Sequence, residues 1–134
     1  MTRLLGVVLG IWLLIGPAAA QDEAAIRDVI GAQLDAFNAR DVNDAWQYAS
    51  PTIQGLFGTP ENFGRMVENG YPMVWTNSNP QFLDLREIAG QWYQRVLIED
   101  ATGIRHILEY QMLQTADGWR IGGVSILPAP DVAA

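Results

Sequence analysis

Three side chains in this sequence are suited to moving a proton: His106, Asp84 and Tyr110. His106 is the chain's one histidine, and an imidazole can give or take a proton near neutral pH. It alternates with Ile104, Leu108, Tyr110 and Met112 on the more apolar side of an expected strand. That spacing turns it inward. There it can act as a general base, or it can be a pocket-wall histidine hydrogen-bonded to a neighbour; we adopt the plainer role. Asp84 and Arg86 alternate with Phe82 and Ile88. Facing inward, Asp84 could abstract a proton beside an oxyanion donor such as Tyr48, Tyr93 or Tyr110. Leu83 and Leu85 hold the alternate positions and are more apolar. A register with those leucines inside sends Asp84 and Arg86 to the outer surface, where an ion pair contributes only about 0–1 kcal/mol. Arg95 carries a planar fork suited to a carboxylate, and Glu109 across the sheet is an expected partner. Ser125 near Gly122 and Gly123 lacks the Gly-x-Ser-x-Gly pattern of a nucleophile elbow.

A second set could line a small-molecule pocket: Trp46, Tyr48, Trp75, Trp92, Arg95 and Tyr110. Large aromatics are by default core, because their burial dominates packing energetics. Trp75 differs, since it sits within residues 73–80, before the clear strands and beside a polar loop, which is the setting of a rim or an interface residue. Residues 50–58 are punctuated by Gly55 and Gly58. They read either as a lid over a pocket mouth or as a connector with Ile53, Leu56 and Phe57 packed inward; we adopt the connector.

Several chemistries are removed by composition. The chain has no cysteine, so it has no disulfide, thiol nucleophile or thiolate metal site. It has no lysine, which removes a Schiff-base amine and a phosphate-loop lysine. One histidine cannot build a multi-histidine metal centre, and calcium-loop spacing is missing. No metal and no cofactor are expected. The net charge of −7 repels phosphate backbones and anionic head groups. Nucleic acid is therefore not an expected partner, and neither is a membrane surface.

The elements that must position these residues follow from spacing. Arg3, an apolar run over residues 4–15, then Gly16, Pro17 and Ala18-Ala19-Ala20 form the pattern of a secretory signal. Cleavage is expected after Ala20, with a product in the periplasm or secreted and no stable membrane anchor. Residues 21–127 then form one domain, and 128–134 a disordered Pro/Ala tail. A helix is expected over residues 22–39, with Ile26, Val29, Ile30, Leu34 and Phe37 on one stripe. A second starts at an Asp41 cap and ends at Pro51. A third starts with Thr59-Pro60 and ends at Asn69-Gly70. Strands are expected over 82–88, 91–99, 104–115 and 119–127, with Asp117-Gly118 as a hairpin turn. Three N-terminal helices followed by a curved antiparallel sheet of four or more strands is an α+β fold.

The run Ala49-Ser50-Pro51-Thr52-Ile53-Gln54, the segment Phe57-Gly58-Thr59-Pro60-Glu61-Asn62-Phe63, and the closing Gly118-Trp119-Arg120-Ile121-Gly122-Gly123 resemble a family of small bacterial exported proteins. So do Met66-Val67 and Tyr71-Pro72. That family is catalogued as a domain of unknown function. Its members look like the nuclear-transport-factor-2-like, or cystatin-like, superfamily, in which a curved sheet wraps a long helix into a cone. The resemblance implies that fold over residues 26–127 and implies no catalytic residues. That superfamily hosts isomerases, dehydratases, cyclases and non-enzymatic pockets, so fold does not select an activity.

Together these observations suggest a non-catalytic exported domain. It binds a small apolar or amphipathic ligand in its cone, or a periplasmic protein through its sheet. One alternative is a cone-pocket isomerase, dehydratase or hydrolase with His106 or Asp84 as base. Another is a homodimer built on the sheet face carrying Tyr93, Leu97, Ile107 and Leu113.

Overall fold

The computed structural model describes residues 4–128, with side chains from residue 19 onward. Helices come first and strands second, as expected for α+β, but five helices precede the sheet rather than three. They are α1 (Leu4–Asn38), α2 (Val42–Gln47), α3 (Pro51–Phe57), α4 (Pro60–Gly70) and α5 (Pro72–Trp75). Four strands follow: β1 (Ser78–Ile88), β2 (Gln91–Glu99), β3 (Arg105–Thr115) and β4 (Gly118–Leu127).

The longest helix begins earlier than expected and is continuous through Gly16 and Pro17. In the second half of α1, Ile26, Ile30, Leu34 and Phe37 are each 0–1% exposed. These three- and four-residue steps put one stripe against the sheet. Among the described residues, no helix is long and apolar enough to cross a membrane.

Pro51 begins a helix instead of only ending one. It sits at the first helical position of α3, and the buried Ser50 accepts from Ile53 N at 3.3 Å as its cap. A proline loses nothing there, because that N–H has no helical partner. Asp41 and Thr59 cap α2 and α4 as expected, accepting from Asp44 N and Asn62 N. Tyr71-Pro72 opens the short α5, which ends at Trp75. Asn38 at the end of α1 donates to Asn77 O at 2.8 Å and accepts from Asn77 N at 3.0 Å. This paired contact fixes where β1 starts.

The sheet has the order β1-β2-β3-β4, antiparallel throughout. Ala89 and Gly90 have φ of 53° and 82° and turn β1 into β2, with Ile88 opposite Gln91. That φ-positive pair suits a tight hairpin. At the β3–β4 hairpin Thr115 pairs with Gly118, so Ala116 and Asp117 are the turn residues. Along β2 and β3 burial alternates with period two. Val96, Ile98, Leu108, Tyr110 and Met112 face α1 and are nearly inaccessible.

Two irregularities shape the sheet. In β4, Gly123 pairs with Gln111 and Ile121 with Met112, so Gly122 is an extra residue in a bulge. A Cβ there would lie 2.8 Å from Leu113 Cδ1, which is why the site takes glycine. The outer edge of β4 is closed by the segment between α2 and α3: Ser50 N donates to Ile121 O and Ile121 N to Tyr48 O, both at 2.8 Å. In β1 the register shifts between Phe82 and Leu85. Gln94, fully buried on β2, donates from Nε2 to Leu83 O, Asp84 O and Arg95 O at 3.2, 3.3 and 2.9 Å. The side-chain amide supplies the donor that the irregular ladder lacks.

Candidate functional site

The three acid–base candidates do not share a site. His106 is on the α1-facing side of β3, near its start, and its Nε2 lies 2.8 Å from Asp100 Oδ2. An ionised carboxylate only accepts, so Nε2 carries the proton. Asp100 sits in the β2–β3 turn, and its Oδ1 accepts from Thr102 N, Thr102 Oγ1 and Ile104 N at 2.9, 2.7 and 3.0 Å. The His106 hydrogen bond first, and the Thr102 hydroxyl next, hold the Asp100 carboxyl well below the usual carboxylate range. His106 thus clasps a turn.

Asp84 and Arg86 lie on the other side of the sheet. Asp84 Oδ2 is 3.2 Å from Arg86 Nε, and Arg86 Nη2 is 3.0 Å from Glu109 Oε2. Arg95 Nε donates to the same carboxylate oxygen at 3.1 Å, directly across the β2–β3 ladder. Four charges share one partly solvated network, an arrangement that organises the outer face and contributes modestly to stability. Tyr110 faces α1. It lies four positions after His106, about 13 Å along a strand.

The aromatic candidates are packing residues in the main. Trp46 meets Phe63 edge-on at 5.6 Å between centroids, and Trp92 meets Trp119 in the same way at 6.3 Å. Trp75 packs on Phe37 at 6.1 Å and holds the Arg40 guanidinium 4.4 Å above its ring. Arg40 also donates to Phe37 O, Trp75 O and Thr76 Oγ1, so it is a strut between α1 and α5. Tyr48 is half-buried, and its carbonyl serves the β4 edge.

Of the expected pocket residues, Tyr110 alone borders the apolar cavity found among the described residues beneath α3. That cavity holds about 260 Å³ between α3, α4 and the sheet. Its floor comes from Gln33 and Phe37 of α1, Tyr110 of β3, and Ile121 and Val124 of β4. Phe63, Met66 and Val67 of α4 form one wall, with Tyr71 and Val74 beside them. Ile53, Leu56 and Phe57 of α3 form the rim. Leu56 is 72% exposed and so does not pack inward, while Ile53 and Phe57 are half-buried. The connector expected at residues 50–58 is a helix whose apolar face edges an opening, held by Gln54 Nε2 to Trp46 O and Asn62 Nδ2 to Phe57 O. The Tyr71 hydroxyl is occupied elsewhere, donating to Val124 O at 3.1 Å.

The Tyr110 hydroxyl is fully buried and has no partner among the described residues. Burial pushes the phenol well above its usual range, so it is a neutral O–H donor at every physiological pH. Gln33 is the other polar side chain of note here, and sequence reasoning missed it. The signal was present: a glutamine beside Leu34 and between Ile30 and Phe37, on the buried stripe of α1. Among the described residues, no group of three or more histidine or acidic side chains is placed to hold a metal ion.

A family model described as a domain of unknown function, DUF4864, matches residues 19–134. The chain belongs to the DUF4864 family. Comparison with curated proteins and with solved structures found no match to either. The family match covers every cavity-lining residue, so the cavity belongs to the DUF4864 domain itself.

Proposed function

We propose that this DUF4864 domain is a non-catalytic binder of a small apolar or amphipathic molecule, held in the cavity beneath α3. The supporting observation is the cavity itself: about 260 Å³, partly open, and walled almost entirely by apolar side chains. The reading is non-catalytic because His106 is committed to Asp100 and Asp84 to Arg86, on opposite sides of the sheet and away from the cavity lining.

Two further parts belong to this reading. The fold is the cone of the nuclear-transport-factor-2-like superfamily, on the support of one long helix lying against an antiparallel sheet. The protein is exported, on the support of the signal pattern over residues 1–20.

Native mass spectrometry of the protein recovered from an extracytoplasmic extract tests these parts together. The expected result is a chain starting at Gln21, accompanied by a species of higher mass that loses a small neutral molecule on activation. A Val124→Phe variant, which fills the floor of the cavity, should lack that species. A clean mass for the wild type, with no adduct under gentle conditions and none after incubation with apolar probes, contradicts the binding reading.

A further inference from the structure

The cavity is apolar in its walls, but the two polar groups noted at its border are each short of a partner. Gln33 is 4% exposed, and its Nε2 donates to Ala45 O at 3.1 Å. A carbonyl oxygen only accepts, so the amide nitrogen is fixed at that end and Oε1 is the other. Among the described residues no hydrogen bond reaches Gln33 Oε1. Tyr110 is 1% exposed, and its hydroxyl is unpartnered. The border therefore offers one carbonyl acceptor and one hydroxyl.

Charge is absent from that border: no arginine, histidine, aspartate or glutamate lines the cavity, and the chain has no lysine. An anionic ligand would bury its charge without a counter-ion, which costs far more than apolar contact returns. A cation would meet the same penalty. A pure hydrocarbon fills the walls but leaves both polar groups dry. A neutral molecule with an apolar body and an alcohol answers both: its oxygen accepts from the Tyr110 hydroxyl, and its O–H donates to Gln33 Oε1.

We infer that the cavity bordered by Gln33 and Tyr110 takes a neutral, mostly hydrocarbon alcohol of about ten non-hydrogen atoms, a size set by the 260 Å³ volume. This inference rests on the binding reading above and narrows it from apolar ligands in general to uncharged, oxygen-bearing ones. It excludes fatty-acid-like carboxylates, which an amphipathic ligand would otherwise include.

The test compares three probes with one carbon skeleton, indane, indanol and indane carboxylate, by calorimetric titration of the mature protein. The expected ranking is indanol first, about five-fold or more tighter than indane, with the carboxylate weakest. In Tyr110→Phe the advantage of indanol over indane should largely vanish while indane binding is kept. Thermal unfolding of this variant establishes that it is folded. Should it not fold, the wild-type ranking alone decides. Equal binding of indane and indanol, with no effect of Tyr110→Phe, overturns the alcohol inference and leaves apolar binding standing. Tightest binding by the carboxylate also overturns it. Binding of none of the three overturns the cavity reading and this inference with it.

Discussion

A buried hydroxyl without a partner is a standing cost, because folding removes its water and returns nothing. Tyr110 carries that cost at a cavity border. In the unliganded protein, Tyr110→Phe is therefore expected to hold or raise the unfolding free energy, by up to about 1 kcal/mol, in urea denaturation. A clear loss of stability would mean that the hydroxyl has a partner. Gln94 combines both situations: its Nε2 serves three carbonyls, while its Oε1 is buried without a partner among the described residues. Gln94→Leu is expected to cost about 2 kcal/mol through the unpaired groups it leaves, with the change in urea midpoint as the readout. Asp100 gives a pH dependence whose sign follows from its lowered titration. A carboxyl held below its ordinary range in the folded chain stabilises above that range, and the contribution is lost as pH falls through about 4 and below. Asp100→Asn should remove that part of the acid sensitivity in a series of denaturation curves, and the wild type should be the steeper of the two between neutral and acidic pH.

At the scale of elements, the caps, the stripes and Pro60 were legible, and Pro51 and Pro72 were not. The α1 stripe, the Asp41 and Thr59 caps and the alternation along β2 and β3 all follow from local spacing, and local spacing is what a sequence displays. Pro51 and Pro72 carry two meanings, since the same residue ends one helix and opens the next. Only Ser50 at the preceding position signals which applies, and that reading turns a connector into α3 and its exposed Leu56 into a rim. The cavity was harder to read for a different reason. Its lining comes from α1, α3, α4, β3 and β4, and no spacing rule links Gln33 to Tyr110 or Val124. The close crossing of α2 and α4 is equally nonlocal. A Cβ at Gly64 would lie 2.6 Å from Val42 Cγ1, and a valine side chain has little freedom to yield. Gly64→Ala is expected to lower stability by about 1 kcal/mol net, because overpacking exceeds the gain in helix propensity. Val42→Ala should cost less in that background than alone, a coupling that a double-mutant cycle reads directly.

For the whole molecule, the sheet divides two kinds of surface. Its outer face carries the Arg86, Arg95 and Glu109 network, and its inner face carries the core and the cavity. The binding account places the functional surface on the inner side, beneath α3. It also expects Leu56 to matter for binding more than for stability. Leu56→Ser should leave the thermal midpoint within about a degree, as exposed substitutions usually do, and weaken indane binding several-fold. Indane added to the isotope-labelled mature protein, followed by backbone amide shifts, tests the central claim most directly. The account predicts saturable shifts gathered at Gln33, Leu56, Phe57, Met66, Tyr71 and Val124, and their loss in Val124→Phe. Shifts that do not saturate, or that gather instead around Arg86, Arg95 and Glu109, would contradict it.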